Sequence, residues 1–383
     1  MTSAIKLGFL ASGDPLDRQV WSGLPYSMWQ HLRVEFPEAI SYSPLSRQTV
    51  RIAKGIDRAS QMLTSFVCPP HYNHRIIPVA SRRLKHQIRQ QRPDVVFAAA
   101  ASSFVPAIPD DIPVIYFTDG TFRQLNGYYE RLSKLSPATI QRAEELEAFS
   151  INRAAASAFS SQWAADSAIA DYGADPARVH VVPFGSAVDP PPRALALDRA
   201  LSHGRVNLLL VGVDWKRKGI DIAIQATTSL RNRGIDARLT VVGAGTPGSD
   251  HGDGIEIVGF LDKSTPSERA HIERLYQEAD FFLLPTRAEC SAIVFCEAAA
   301  YGLPSLATQT GGIPEIILDG ETGMLLPLDA DGNDFADLIQ AQLQQPAHYR
   351  AMSLAARDRY ERVLNWSVWS SRIAEIVCSI HRR

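Results

Sequence analysis

The sequence predicts an α/β protein of two domains, each built on a parallel sheet. The chain has 383 residues, more than one hydrophobic core usually supports, so two domains are expected. Its hydrophobic content of 45%, with 24 Gly and 24 Pro, is typical of a globular α/β chain and not of a disordered one. Short apolar runs that end in turn-forming residues and lead into helical stretches recur along the chain, as in the units of a parallel sheet.

Apolar runs and helical patterns place the elements in chain order. Strands are expected at 5–10, 94–98, 112–117, 154–159, 179–182, 206–211, 239–242, 255–258 and 281–284. Helices are expected at 26–34, 142–149, 161–172, from 220, and at 292–301, 334–343, 348–360 and 368–380.

Two turns in the first half carry candidate site residues. Ser22 and Gly23 lie in a small-residue turn before the first helix, where a glycine lets the backbone approach a ligand, although a plain turn explains them equally. Asp119 follows the strand at 112–117, and ligands of open parallel sheets gather at the carboxyl ends of strands. Asp119 is therefore positioned to meet a substrate, or else it forms an Asx turn.

The stretch 281–303 is typical of a strand, a turn and a helix. Ser291 can cap the helix at 292–301, and Gly302 can end it in a left-handed conformation. Glu289 and Glu297 bracket the helix start, and at the helical rise they would span roughly 12 Å, about the length of a nucleoside diphosphate sugar from hexose to ribose. The free N–H groups of the helix start could hold the diphosphate between them. A capped core helix with two solvated glutamates explains the same spacing.

Residues 285–327 resemble the family 4 retaining glycosyltransferases. They carry Glu-x7-Glu at Glu289 and Glu297, followed by 311–315 and 319–323 in the family's order and spacing. The resemblance implies the GT-B fold, in which two Rossmann-like domains face a cleft and the C-terminal helix crosses back to the N-terminal domain. It also implies a retaining, metal-independent hexosyltransferase that moves a sugar from a UDP- or GDP-sugar to an acceptor hydroxyl.

The same resemblance implies roles for individual residues. Glu289 would contact the sugar as a catalytic residue, and Glu297 would bind the ribose. Asp119 stands where many members have a histidine, and it is the catalytic candidate on the acceptor side. Val213 stands at the position of the family's first arginine, so Arg217, in preference to Lys216, is expected to join Lys218 on the diphosphate. The remaining donor-binding residues expected are Ser22, Gly23, Phe260, Cys290, Ser291, Ala292 and Ile293.

The segment 183–192 resembles the family's interdomain junction, and its three consecutive prolines stiffen it. The resulting prediction is an acceptor-side N-terminal domain over 1–188, completed by about 366–383. A donor-binding domain over 189–365 follows.

A basic stretch spans residues 47–92, with ten Lys or Arg residues against one acid, Asp57. It is net +9, which leaves −11 for the rest of a chain of net charge −2. Such asymmetry suggests an anionic partner, either a membrane surface or a phosphorylated acceptor, while a solvated helical face explains it as well. No nucleic-acid recognition motif accompanies the charge, so no nucleic-acid partner is expected.

Several other patterns are weak. Gly-x-Gly-x-x-Gly at 243–248 is followed by glycines and a proline, which favours a loop over an NAD site. Asp-x-Asp at 329–331 is typical of a surface turn, and His71 with His74 lacks a third ligand, so no metal and no cofactor are expected. The cysteines form no CxxC pair, and no apolar run could span a membrane, so a cytoplasmic or membrane-peripheral location is expected. The alternative function is a non-catalytic nucleotide-sugar-binding or partner-binding protein on the same scaffold.

Overall fold

The computed structural model describes residues 5–18, 20–45, 49–53, 55, 66–67, 69–198, 201, 205–246 and 249–382. By its internal contacts the chain divides into two compact units. Unit 1 comprises Met1–Val182 and Trp369–Arg383, and unit 2 comprises Pro183–Val368. The predicted boundaries, at 188/189 and 365/366, fall in the proline-rich junction and before the last helix.

Unit 1 is built on a parallel sheet that has, in its described residues, six strands in the order β2-β1-β3-β4-β5-β6. The strands are β1 (Leu7–Ala11), β2 (Ile40–Tyr42), β3 (Val95–Ala99), β4 (Val114–Thr118), β5 (Ala156–Phe159) and β6 (Val179–Val181). Its helices before the junction are α1 (Leu24–Glu35), α2 (Ile76–Gln91), α3 (Phe122–Leu125), α4 (Pro137–Arg153) and α5 (Gln162–Tyr172). Short 3-10 turns lie at Val20–Gly23, Pro70–Tyr72, Ser102–Ala107, Glu130–Leu132 and Pro176–Arg178. The five strands predicted here are present, and β2 is additional.

Unit 2 repeats the architecture with a parallel sheet whose described strands run in the order β12-β11-β10-β7-β8-β9. The strands are β7 (Arg205–Val211), β8 (Asp236–Val242), β9 (Ile255–Gly259), β10 (Phe281–Leu284), β11 (Ser305–Thr308) and β12 (Gly323–Leu326). The helices are α6 (Arg193–Ala196), α7 (Ile220–Asn232), α8 (Pro266–Glu278), α9 (Ile293–Ala300), α10 (Ile313–Ile316), α11 (Gly332–Leu343) and α12 (Pro346–Arg362). The four predicted strands are present, and β11 and β12 are additional.

The last helix, α13 (Trp366–His381), contributes its residues from Trp369 onward to unit 1. Trp369 is fully buried and packs edge to face on Phe97 of β3 and Phe117 of β4, with ring centroids 5.7 and 5.6 Å away. Trp366 instead packs on Phe184 in unit 2, at 6.0 Å. Both tryptophans therefore hold the helix by core packing.

The strand orders identify where each sheet reverses direction. In unit 2 the first strand, β7, lies between β8 and β10, which is the Rossmann order, and the reversal falls between β7 and β10. In unit 1 the reversal falls between β1 and β3. Open parallel sheets bind ligands at the carboxyl ends of the strands beside this point, so the loops after β7 and β10 form the expected site of unit 2.

Two of the weak motifs have structural explanations. Gly243 and Gly245 have positive φ, and the described residues after them lead through a loop to β9, as predicted; Pro247 and Gly248 lie outside the described residues. Asp331 caps α11 by accepting hydrogen bonds from the N–H groups of Asn333 and Asp334. No helix in the described parts of the chain is both long and apolar enough to cross a membrane.

Candidate active site

The turn after β7 is joined to the chain that leaves β10. The Arg217 carbonyl oxygen accepts hydrogen bonds from the N–H of Arg287 (2.7 Å) and from Oγ1 of Thr286 (2.9 Å). Gly219 has a φ of 68°, and a Cβ added there would lie 1.9 Å from the Pro285 oxygen, so only glycine permits this approach. The contact brings the basic turn beside the loop that carries Glu289.

Three charges meet at this point. Oε2 of Glu289 accepts hydrogen bonds from Nζ of Lys218 and from Nη1 of Arg217, the latter at 2.9 Å. Nη1 of Arg217 also donates to the Ala288 oxygen at 3.0 Å. Burial alone raises the pKa of Glu289, but the charges of Lys218 and then Arg217 outweigh it and hold this pKa below its ordinary value. The cluster therefore contains two cations and one ionised carboxylate, with Lys218 and Glu289 each only 8% exposed.

The helix start beside this cluster differs from the prediction in two ways. The N-cap of α9 is Ala292, and no side chain caps the helix, so the predicted cap by Ser291 is wrong. Ser291 stands one residue too early for its hydroxyl to reach the first helical N–H groups, and its buried Oγ has no hydrogen-bond partner among the described residues. Residues 289–292 are also not helical, so the helical rise does not give the distance between the two glutamates. The chain from Glu289 to the uncapped start of α9 contains the buried Cys290, Ser291 and Ala292 and the half-buried Ile293.

Glu297 lies one turn into α9 and is held by a different pair of residues. Its side chain is completely buried; Oε1 accepts from Nζ of Lys263, and Oε2 accepts from the Tyr276 hydroxyl at 2.7 Å. Burial, then the Glu297 charge, raises the pKa of Tyr276 well above its ordinary value, so this tyrosine stays a donor. Sequence reasoning missed Lys263 and Tyr276 because no motif marks them.

Two apolar side chains are exposed at the same edge of the sheet. Phe260 follows β9 and is 70% exposed, and Val213 follows β7 and is also exposed. A large exposed aromatic ring at the carboxyl end of a strand offers a flat surface on which a planar ligand can stack.

The predicted loop of unit 1 is strained. Trp21, Ser22 and Gly23 have φ values of 44°, 55° and 80°, three successive left-handed residues directly before α1. Such conformations cost non-glycine residues on the order of 1–3 kcal/mol and occur preferentially at functional sites. No side chain caps α1, whose N-cap is Gly23.

Asp119, also in unit 1, is half-buried and follows β4. The backbone beyond it is fixed, because Thr121 forms a capping box with Gln124 at α3 and its Oγ1 lies 2.7 Å from Oγ of Ser167. Lys218, Arg217 and Glu289 are thus brought together in unit 2, Glu297 lies in the same unit with other partners, and Ser22, Gly23 and Asp119 belong to unit 1.

A further buried acid lies in the core of unit 1. Glu147 of α4 is almost fully buried, and the Tyr116 hydroxyl lies 2.9 and 3.0 Å from its two oxygens. Burial raises the pKa of Glu147 to about 7. Within the described residues, no group of three or more His, Cys, Asp or Glu side chains could hold a metal ion.

Comparisons with known proteins match both units. Residues 205–345 match the family model described as glycosyl transferases group 1, and residues 44–189 match glycosyltransferase family 4. A D-inositol 3-phosphate glycosyltransferase of Corynebacterium aurimucosum is 32% identical over 186 residues, 45% of this chain and 43% of the relative. An amylovoran biosynthesis glycosyltransferase of Erwinia amylovora is 29% identical over 215 residues, 52% of this chain and 50% of the relative. The chain spans about half the length of the curated relatives it matches.

Solved structures match over almost the whole chain. A sucrose-phosphate synthase of Thermosynechococcus elongatus has a TM-score of 0.69 at 15% identity, covering 98% of this chain and 99% of the other. Anabaena HepE in complex with UDP and glucose has a TM-score of 0.63 at 15% identity, covering 98% and 100%. The fold, two six-stranded parallel sheets with flanking helices, is thus that of the GT-B glycosyltransferases. Both units carry glycosyltransferase domain sequence, of family 4 in residues 44–189 and of group 1 in residues 205–345.

Proposed function

We propose that this chain is a retaining, metal-independent hexosyltransferase that uses a UDP- or GDP-sugar. The observation that carries the proposal is the cluster of Lys218, Arg217 and Glu289 at the point where the sheet of unit 2 reverses. Two cations, the uncapped start of α9 and a buried hydroxyl without a partner together suit a diphosphate. The adjoining carboxylate suits the hydroxyl groups of a sugar.

Each part of the nucleotide sugar is then assigned residues of matching chemistry. Lys218, Arg217 and the segment 290–293 bind the diphosphate. Ser22 and Gly23 of the strained loop in unit 1 are proposed separately as donor-binding residues. Glu297 accepts hydrogen bonds from the ribose hydroxyls, and Phe260 contacts the base. Glu289 accepts hydrogen bonds from the hexose. Asp119 accepts a hydrogen bond from the acceptor hydroxyl.

The transfer forms a bond between the acceptor oxygen and the anomeric carbon while the bond from that carbon to the diphosphate oxygen breaks. The acceptor hydroxyl gives its proton to an oxygen of the departing nucleoside diphosphate, on which negative charge develops as the bond breaks. Lys218 and Arg217 stabilise that charge, with the dipole of α9 adding to them, which is the contribution a divalent cation would otherwise make.

The acceptor is proposed to carry phosphate or to lie at an anionic membrane. D-inositol 3-phosphate glycosyltransferases are among the relatives, and their name contains a phosphorylated compound. On α2, the exposed side chains of Arg82, Arg83, Lys85 and Arg89 have no ion-pair partner in the described parts of the chain. An open groove of about 460 Å³ lies beside this helix, lined in part by Ile77, Pro78 and Phe149. Arg47, Lys54 and Arg58 of the basic stretch lie outside the described residues.

A donor screen tests the proposal. The full chain is expected to gain thermal stability with UDP or GDP and to release the nucleotide from one of their hexose conjugates, in the presence of EDTA. Lys218→Met should abolish the release, whereas Arg274→Met, on the exposed face of α8, should not. Proton NMR of the product should show the anomeric configuration of the donor. Loss of activity with EDTA that magnesium restores would refute metal independence, and binding of neither nucleotide would refute the function.

A further inference from the structure

Glu297 is an acid that a ligand cannot reach in the structure as it stands. Its side chain is 0% exposed, and each carboxylate oxygen already accepts one hydrogen bond, from Lys263 or from Tyr276. A carboxylate has lone pairs for two further donors, so the pair of hydroxyls on a ribose could be accommodated chemically. Contact nevertheless requires one of the two covering groups to move away.

The two covering groups differ in their freedom to move. Tyr276 is fully buried, and its ring stacks between Phe282 at 6.0 Å and Tyr301 at 5.4 Å, so moving it would open the core. The Lys263 side chain is 25% exposed and ends a flexible four-carbon stem. Lys263 is therefore the group that can leave.

The backbone under Lys263 is held in place on both sides. Oδ1 of Asp262 accepts hydrogen bonds from the N–H and the hydroxyl of Ser264, at 2.8 and 2.7 Å. The N–H of Asp262 donates to Oε2 of Glu268 at 2.5 Å, and the N–H of Thr265 donates to the Asp262 oxygen at 2.9 Å. The Lys263 side chain can thus swing outward while the loop between β9 and α8 keeps its conformation.

We propose that Lys263 is a gate over the ribose-binding acid. In the nucleotide-free chain its ammonium covers Glu297, and a bound ribonucleotide displaces it, so that the two ribose hydroxyls donate to the carboxylate in its place. The gate rests on the proposed function, which assigns Glu297 to the ribose. It extends that function by naming a residue that competes with the ribose for Glu297. Lys263 therefore lowers the affinity for ribonucleotides but not for nucleotides that lack the ribose hydroxyls.

Calorimetry with matched nucleotides tests the gate. Lys263→Met keeps the stem and removes the ammonium, and it is expected to tighten binding of UDP or GDP by about 5- to 30-fold, between the effects expected for an exposed and for a fully buried ion pair. Binding of the corresponding 2′,3′-dideoxynucleoside diphosphate, which has no hydroxyl to offer Glu297, should change less than about twofold. Arg274→Met, an exposed cation of α8 outside any described ion pair, is the control and should change neither.

Each outcome has a distinct meaning. Weaker or unchanged ribonucleotide binding in Lys263→Met, or an equal change for the dideoxynucleotide, would overturn the gate. In a Glu297→Gln background the gate has nothing to cover, so adding Lys263→Met should have no further effect; a persisting effect would also overturn it. Thermal melting of each variant separates these results from a folding defect. If the unmodified chain binds neither UDP nor GDP, it is the proposed function that fails.

Discussion

Replacing Glu289 by glutamine should tighten the binding of nucleoside diphosphate while lowering turnover. One oxygen of Glu289 is bonded to both Lys218 and Arg217, the two cations proposed to hold the diphosphate. In Glu289→Gln this negative charge is lost but the shape of the side chain remains, so Lys218 and Arg217 attract phosphate more strongly, although Arg217 keeps its ion pair with Asp214 at 3.6 Å. Turnover should fall because the amide binds the hexose more weakly than the carboxylate. The sequence alone predicts that the variant binds the nucleotide with unchanged affinity, because it assigns Glu289 to the sugar.

The magnitude follows from the geometry of the cluster. A phosphate oxygen bonded to Nζ of Lys218 would lie about 4.6 Å from Oε2 of Glu289, because the N–H bonds of an ammonium point to the corners of a tetrahedron. Two like charges at that distance repel by about 4 kcal/mol at an effective dielectric constant of 20. Salt screening at this partly open site lowers the gain to about 1–2 kcal/mol, roughly a 5- to 30-fold smaller Kd.

Calorimetry with UDP and GDP measures the affinity, and release of nucleotide from the sugar donor measures turnover. Asp221→Asn is the matched control, because Asp221, in the first turn of α7, is paired with Arg287 after β10, at 2.8 Å, outside the cluster. A loss of nucleotide affinity in Glu289→Gln, or unchanged turnover, would refute the reasoning.

Three further predictions concern other charges of the chain. Glu297→Gln should weaken nucleoside diphosphate binding by about 1–3 kcal/mol in calorimetry, because charge-assisted hydrogen bonds to the ribose are lost. If the variant and the unmodified chain bind with equal affinity, Glu297 does not bind the ribose. The pKa of Glu147, raised by burial to about 7, lies above its unfolded value of 4.5, so the folded state binds the proton more tightly. The contribution of Glu147 to the free energy of unfolding should therefore be greatest below pH 4.5 and fall by about 3 kcal/mol as the pH rises to 7. In denaturant titrations, Glu147→Gln should make the free energy of unfolding depend less on pH over this range. Reversing Arg82, Arg83 and Lys85 to glutamate should abolish co-sedimentation with anionic vesicles or raise the KM for a phosphorylated acceptor, at about 1 kcal/mol per residue, while sparing donor binding. If vesicle binding and acceptor kinetics are both unchanged, this face of α2 is solvated and binds neither a membrane nor the acceptor.

The sequence predicted the strands that stand out as apolar runs bounded by turn-forming residues. β10 is a run of four apolar residues closed by a proline, and β7 is a longer run closed by a glycine, so each is visible without its neighbours. β2 has only three residues, of which one is exposed, and β12 begins at a glycine. Such short strands are specified by the strand beside them, and single-sequence patterns do not contain that neighbour.

The candidate site was predictable to the extent that its residues belong to local motifs. Lys218, Glu289 and Glu297 occupy motif positions, but their pairing does not follow from the motifs. Glu289 is 71 residues from Lys218, and Glu297 is 34 residues from Lys263 and 21 from Tyr276. The contact of Lys218 with Glu289 arises because β7 and β10 are neighbours in the sheet, and strand order is a tertiary property.

The ligand-free chain keeps the charges of its candidate site bound to one another. Glu289 neutralises much of the charge of Lys218 and Arg217, and Lys263 neutralises Glu297. A buried charge without a partner would be strongly destabilising, so these pairs keep the site folded before the donor arrives. Donor binding then exchanges one set of ion pairs for another, and its free energy is the difference between the two sets. Substitutions at partners within one pair must therefore be non-additive, because the second substitution removes a partner that the first has already released.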